Sequence, residues 1–159
     1  MDSIAARLGD RDPSEVLRET ASQMQAFSED LTFPWDQPYR DGGWTASDIA
    51  AHLADQEIGF SFRLRQAVAF KDQDHTTQPY DQDAWAKPYA RLSHTVAVQA
   101  FVGLRAWNIA RLATLDLQDW LASYHHPERG VEETVDELVR FQAGHDLHHL
   151  DQLRSLLRP

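Results

Sequence analysis

Residues 134–157 read TVDELVRFQAGHDLHHLDQLRSLL, and this stretch decides the predicted fold and holds the densest group of histidines in the chain. Its apolar residues recur at steps of three and four, the spacing of one face of an α-helix. The residues predicted on the inner face are Val135, Leu138, Phe141, His145, His149, Leu153 and Leu156. The stretch therefore predicts a helix whose buried side carries histidines near its middle.

Three further segments have the same helical period, at about residues 12–31, 45–70 and 89–115. The first starts with Asp12 as N-cap and Pro13 at the first helical position. Thr45 or Ser47 caps the second, and Asp48 favours its first turn. Together with the stretch quoted above, these segments predict four long helices.

The connection between the second and third segments, residues 71–87, is polar and contains Pro79, so it predicts a long crossover loop. Signals for β-structure are nearly absent, with no alternating run and no Asn-Gly hairpin. The length of 159 residues suits one core. We therefore predict an all-α fold: a single domain over residues 1–159, built as a four-helix bundle with a long crossover loop.

The composition is acidic and free of cysteine. A formal net charge of -10 repels phosphate backbones and anionic membrane surfaces, so we expect neither nucleic acid nor a membrane as partner. The absence of cysteine excludes disulfides, thiolate metal ligands and a cysteine nucleophile. We see no signal-peptide pattern and no run near the ~20 apolar residues of a membrane span, and we expect a cytoplasmic protein.

The helical spacing of the histidines predicts a divalent metal site. His145 and His149 are four residues apart, so their side chains share one helix face. His145 and His148 are the competing pair, at a spacing of three. Two imidazoles make a weak site, so a third ligand is expected from another helix. His52 is the candidate, because it lies mid-helix on a side that is otherwise apolar.

An unpartnered imidazole at the position of His52 would cost about 1–3 kcal/mol if buried, and metal ligation would remove that cost. Three neutral imidazoles also leave open coordination positions, as catalytic sites do. Taken by its spacing alone, such a histidine pair more often consists of two surface histidines, and His52 taken alone is more often a hydrogen-bonded core histidine. The nearby polar residues that could orient an imidazole are Asp55, Asp146, Asp151 and Gln152.

Four short stretches, taken in their order and spacing, carry a family resemblance. They are Trp44-Thr45 followed by Ala51-His52-Leu53-Ala54-Asp55; Phe62-Arg63-Leu64-Arg65; Pro79-Tyr80-Asp81 with Ala84-Trp85; and Tyr124-His125-His126-Pro127 leading into His145-Asp146-Leu147-His148-His149. Over residues 44–157 the chain resembles the DinB-like superfamily of four-helix metalloproteins. Within it, the chain looks most like the bacillithiol S-transferase branch, whose members are often labelled metal-dependent hydrolases.

The resemblance implies the ligand set His52, His145 and His149, and so prefers His149 to His148. It implies one divalent ion, commonly nickel or zinc, and often a homodimer. It also implies a reaction in which a low-molecular-weight thiol, activated by the metal, attacks an electrophile. Because this chain has no cysteine, such a thiol must be a cosubstrate.

Arg63 is the candidate substrate-binding residue. It follows His52 by eleven residues, which is about three helical turns and about 16 Å along the axis. It could bind a carboxylate at the far end of an elongated thiol, and an ordinary ion pair within the bundle is an equal alternative. The sequence assigns no role to His125, His126, His148 or Glu57 and points to no general base.

Three functions remain open from the sequence. The first is a thiol S-transferase of the bacillithiol type. The second is a hydrolase at the same site, with metal-bound hydroxide as the nucleophile. The third is a metal-stabilised binding module without turnover. The first two share their ligands, so the sequence does not separate them.

Overall fold

The structure, a computed structural model, describes residues 4–79 and 81–157. Tyr80, part of one stretch that carries the resemblance, lies outside the described residues. Within the described part, four long helices form the bundle and confirm the predicted fold class. They are α1 (Pro13–Glu29), α2 (Ala46–Ala69), α4 (His94–Leu112) and α6 (Val135–Ser155); the short helices α3 (Gln82–Ala86) and α5 (Leu117–Leu121) lie in the connections.

Three of the long helices begin at side-chain caps. The Asp12 carboxylate accepts hydrogen bonds from the first backbone N–H groups of α1, ahead of Pro13. Thr45 and Asp48 form a capping box at the start of α2, as Thr134 and Glu137 do at the start of α6. These caps satisfy N–H groups that a helix leaves without partners and so set where each helix begins.

The four long helices form a ring in which each of α1 and α2 packs against both α4 and α6. Their buried apolar residues fall into two clusters. The first cluster contains apolar residues within 46–54 of α2 and within 150–153 of α6. The second contains apolar residues within 60–67 of α2 and within 135–143 of α6. A layer of buried polar residues crosses the bundle where the two clusters meet. Its members are Thr20, His52, Glu57, Arg105, Asn108, Gln142, His145, Asp146 and His149.

The structure corrects the prediction that β-structure is absent. Strands β1 (Ser123–His126) and β2 (Val131–Thr134) form an antiparallel hairpin before α6. Each strand has only four residues, and the turn between them contains Gly130 at φ 63° instead of an Asn-Gly pair. The hairpin was missed because so short a strand shows too little alternation to be recognised.

The third predicted helix is also shorter than expected. Residues 89–91 form a separate 3-10 turn, and the α-helix starts only at His94. In the crossover, Thr77 is buried and its N–H donates to the carbonyl of His125, tying the crossover to the hairpin. The first helix also ends before the predicted segment does, and Leu31, the last residue of that segment, is 99% exposed.

The first described residues run against α6 beside the histidines. Gly144 packs so closely on this segment that an added Cβ would lie 2.2 Å from the carbonyl oxygen of Ile4. A side chain at position 144 would therefore push the N-terminal segment away from the helix. No helix of the described residues is long and apolar enough to cross a membrane.

Candidate metal centre

Three buried imidazoles meet inside the bundle. The Nε2 atoms of His52 and His145 lie 3.0 Å apart, and those of His149 and His145 lie 3.2 Å apart. The side chains are 1%, 7% and 6% exposed for His52, His145 and His149. The structure therefore brings together the three histidines that the sequence singled out.

The helices position these rings in a simple way. His145 and His149 lie one turn apart on α6, so they face the same direction. His52 comes from α2, which packs directly against α6. The Trp44 ring packs on the open side of the group, with its centroid 4.8 Å from that of His52 and 6.3 Å from that of His149. Residue spacing along the chain did not predict this contact.

Burial keeps the three histidines neutral. It lowers the pKa of His52 to about 3, with smaller contributions from His149 and His148. Burial likewise lowers the pKa of His149 to about 4 and holds that of His145 well below its usual value. At neutral pH all three rings therefore offer lone pairs, the form in which histidine binds metals.

The geometry suits a single ion. Nitrogen ligands at about 2.0–2.1 Å from one zinc-sized ion lie roughly 3–3.4 Å apart. The two measured Nε2 separations fall in this range, and the candidate ligand atoms of all three residues lie within 4.8 Å of one another. Hydrogen bonds among the rings do not satisfy all three converging nitrogens, because Nε2 of His145 faces both neighbours and carries either one proton or one lone pair.

The nitrogens on the far side of the rings differ in their contacts. The Nδ1 atom of His149 lies 2.7 Å from Oε1 of Gln152. Within residues 4–79 and 81–157, Nδ1 of His52 and Nδ1 of His145 have no hydrogen-bond partner. Gln152 is thus the one among the four proposed orienting residues that contacts a ring of the cluster.

The other three proposed orienting residues bind elsewhere. Asp55 accepts a hydrogen bond from the Tyr89 hydroxyl at 2.7 Å. Asp151 pairs with Arg7 at 3.2 Å on the surface. Asp146 pairs with the buried guanidinium of Arg105 at 2.6 Å.

The Glu57 side chain points to the buried guanidinium of Arg105. The two side chains are fully buried and pair at 2.7 Å, and Asn108 donates to the second oxygen of Glu57 at 2.9 Å. Glu57 is therefore committed to this ion pair and not to the histidines. Burial raises the pKa of Asp146 to about 6, although Arg105 opposes that shift. The sequence did not point to Arg105, whose partners lie on three other helices: Leu17 on α1, Glu57 on α2 and Asp146 on α6.

Two cavities lie next to the histidines. The first, of about 290 Å³, opens beside His149 and is also lined by Arg40, Trp44 and His148. The second, of about 220 Å³, is lined by Gln56 and Phe141, which lie one turn from His52 and His145 respectively. Among the described residues, Gln82 of α3 is the one that lines both cavities.

Arg63 lines the second cavity. Its side chain is 15% exposed, and its ion pair with the half-exposed Glu128 is long, at 3.7 Å. Across the same cavity, Arg129 pairs with the buried Glu133 at 2.7 Å. The ion pair expected as the alternative for Arg63 is thus present but loose, which leaves the guanidinium able to bind a further anion.

His125 and His126 belong to β1 and not to the histidine cluster. His125 is partly exposed, and its Nδ1 lies 2.9 Å from a carboxylate oxygen of Glu132. His126 is buried and lines the second cavity. Burial lowers its pKa, and the charge of Arg63 lowers it further. Both histidines lie within the strand, and the turn of the hairpin begins only after them.

Comparison with known proteins places the chain in a family. The sequence model of the DinB superfamily matches residues 16–153. The chain belongs to this superfamily.

Several relatives are similar over most of their length. A Bacillus cereus protein named "Putative metal-dependent hydrolase" is 30% identical over 122 residues, which cover 76% of this chain and 69% of that protein. The Bacillus subtilis protein YfiT, of the same description, is 26% identical over 147 residues, covering 91% of this chain and 82% of YfiT. The solved structure of YfiT, described as an unusual four-helix bundle, matches with a TM-score of 0.82 over 91% of this chain and 83% of YfiT.

Proposed function

We propose that the protein is a divalent-metal-dependent enzyme that holds one ion on His52, His145 and His149 and transfers a low-molecular-weight thiol to an electrophile. The observation that carries this proposal is the convergence of three neutral, buried Nε2 atoms, with His149 lining an open cavity. The printed names of the relatives support metal dependence. Nickel and zinc both suit a set of imidazole ligands.

A bound divalent ion supplies a Lewis acid that lowers the pKa of a thiol or a water molecule that reaches it. The chain has no cysteine, so the sulfur must come from a cosubstrate. In the transfer, the thiol proton goes to solvent and the sulfur forms a bond to an electrophilic carbon. The leaving group departs from that carbon with the bonding electron pair. Low-molecular-weight thiols are kept reduced in the cytosol, where we place the reaction.

The two cavities support a reaction with two reactants. His149 lines the first cavity, Gln56 and Phe141 of the second lie one turn from His52 and His145, and Gln82 lines both. We propose that a thiol in one cavity and an electrophile in the other approach the same centre. We propose that Arg63 binds an acidic group of the thiol in the second cavity, because its guanidinium is largely buried and only loosely paired. A carboxylate bound there would form a charge-assisted hydrogen bond.

Consumption of a reactive aryl halide, followed with and without bacillithiol or cysteine, tests the proposal. We expect turnover that requires the thiol, stops after chelation and returns with nickel or zinc. His149→Ala should abolish it, whereas His125→Ala, which removes a partly exposed histidine, should leave it intact. Turnover of the halide at the same rate without thiol would contradict thiol transfer.

A hydrolase at the same centre is the second candidate, favoured by the names of the relatives. It requires the same three histidines and only one organic substrate. Ester or amide hydrolysis that is metal-dependent and independent of thiol would establish it. Metal-dependent stability with no turnover of either kind would identify a binding module instead.

Arg63→Met tests the role of Arg63 in thiol binding. We expect KM for the thiol to rise about tenfold, the equivalent of about 1.4 kcal/mol, with little change in kcat. Arg65→Met is the matched control, because Arg65 lies on the same helix but contacts Ser61 and the Trp107 ring. An equal KM in both variants would remove Arg63 from the substrate site.

We also propose a homodimer through the outer face of α2 and α4. Ile58, Leu92 and Val96 are each about half exposed there and line an apolar cavity of about 320 Å³. Burial against the same face of a second copy would remove this surface from water. Sedimentation equilibrium should give a dimer for the wild type and a monomer for Val96→Glu; a monomeric wild type would contradict the proposal.

A further inference from the structure

His148, the alternative ligand left open by spacing, faces away from the cluster. Its Nε2 atom lies 3.1 Å from Nε2 of Gln152. The other end of the same amide places Oε1 at 2.7 Å from Nδ1 of His149. Gln152 therefore lies between two imidazoles, with its donor end on His148 and its acceptor end on His149.

The hydrogen-bond chemistry of an amide couples the two rings. An oxygen beside Nδ1 of His149 requires a proton on that nitrogen, which leaves the lone pair of the neutral ring on Nε2, facing His52 and His145. The amide nitrogen, in turn, requires a lone pair on Nε2 of His148. If the amide were reversed, Nδ1 of His149 would have to accept, and the proton would move to the Nε2 atom that faces the cluster.

We propose that His148 is a positioning residue: by accepting a hydrogen bond from Gln152, it sets the orientation of the amide and so holds His149 in the tautomer that can bind a metal. This inference rests on the metal site proposed above. His149 is the ring on which such control can act, because Nδ1 of His52 and Nδ1 of His145 have no partner within the described part of the chain. Contacts behind the metal ligands are known to change metal affinity by about 10–100-fold.

Side-chain ¹⁵N NMR of the metal-free protein tests the proposal directly, because it distinguishes Nδ1–H from Nε2–H in each imidazole. We expect His149 to carry its proton on Nδ1 in the wild type. In His148→Ala the Nε2–H form should appear, and the dissociation constant for nickel, measured against a competing chelator, should rise about tenfold at unchanged stoichiometry.

Two further variants separate positioning from general damage to the fold. His148→Gln offers an oxygen near the position of the lost Nε2 and should restore both the tautomer and the affinity. His125→Ala should change neither. Signals of His52 and His145 that match the wild type will show that the bundle is intact in each variant.

Two results would overturn the proposal. One is a wild-type His149 that carries its proton on Nε2. The other is a His148→Ala variant whose His149 tautomer and nickel affinity equal those of the wild type. If the wild type binds no metal but the tautomer of His149 still changes in His148→Ala, the metal site fails while the positioning role stands.

Discussion

The buried polar layer of the bundle has two parts of opposite character. In one part, Arg105 lies between Glu57 and Asp146 at 2.7 and 2.6 Å, so every charge is paired with protein atoms. In the other part, three imidazoles face one another, and the Nδ1 atoms of His52 and His145 have no partner in the described chain. The two parts touch along α6, where His145 and Asp146 are consecutive residues.

The difference separates a structural cluster from a functional one. Buried polar groups in native proteins are nearly always satisfied, so a group that the protein leaves unsatisfied calls for a ligand or another explanation. Within the described residues, each cluster has two unpartnered atoms, and those of the ion-pair cluster are Nε of Arg105 and Oδ1 of Asn108. Its charged groups nevertheless all take part in ion pairs. The histidine cluster differs at its centre, where the Nε2 atoms of three neutral rings converge in the arrangement that a divalent ion would bind.

The largest effect should come from breaking the ion-pair cluster. Arg105→Leu would leave two carboxylates, Glu57 and Asp146, buried without a positive charge. We expect the free energy of unfolding in urea to fall by about 3–5 kcal/mol. If Arg105→Leu does not fold under conditions in which the control variant folds, the loss of stability is larger still, and the prediction is also met.

Arg140→Leu is the matched control for this loss. Arg140 forms an exposed ion pair with Asp136 at 2.9 Å on the outer side of α6. Its removal should change the free energy of unfolding by no more than about 0.5 kcal/mol. Equal losses in the two variants would show that the buried cluster has no special structural role.

A smaller effect should appear when metal is added to the histidine cluster. An ion that binds only the folded protein raises the free energy of unfolding by about 2.7 kcal/mol at a hundredfold excess over its dissociation constant. We expect this gain with nickel or zinc in the wild type and in His125→Ala, and none in His145→Ala. A gain of the same size in His145→Ala would place the binding elsewhere in the chain.

The smallest effect concerns pH in the absence of metal. His52 has an ordinary pKa of 6.5 when unfolded and a pKa of about 3 when folded. Between these values the unfolded chain binds a proton that the folded protein does not, so stability is lost as the pH falls below about 6.5. One group with such a shift contributes up to about 1.4 kcal/mol per pH unit.

Chelator-treated wild type and His52→Leu should therefore diverge in urea titrations between about pH 6 and 4. For each pH unit of acidification, the free energy of unfolding of the variant should rise by about 1 kcal/mol relative to that of the wild type. The raised pKa of Asp146 acts in the opposite direction, but it is present in both proteins and largely cancels. Parallel curves would show that His52 is not buried as a neutral ring.

The parts of the fold that were predictable have local causes. The caps at Asp12, Thr45 and Thr134 are visible in the sequence and mark the true starts of three helices. The start of α4 was predicted too early, at about residue 89, because Ser93 before this helix makes no capping hydrogen bond. The hairpin depends on pairing two four-residue strands, one of which also bonds to the crossover, and such pairing leaves almost no local signal.

In the candidate site, too, some residues could be predicted from local sequence patterns and others depend on how the helices pack. His145 and His149 follow from helical spacing, and His52 from its place on an apolar helix face. Arg105 had no such signal, because its partners come from α1, α2 and α6 and its burial is a result of helix packing. Gln152 was one of four local candidates, and only the direction of its side chain distinguishes it.

Metal content of the untagged protein, measured by mass spectrometry after loading with nickel and zinc and removal of free ions, tests the central claim most directly. We expect about one ion per chain in the wild type and in His148→Ala, and almost none in His149→Ala. A wild type without metal, or a His149→Ala variant that keeps a full equivalent, would contradict a three-histidine centre formed by His52, His145 and His149.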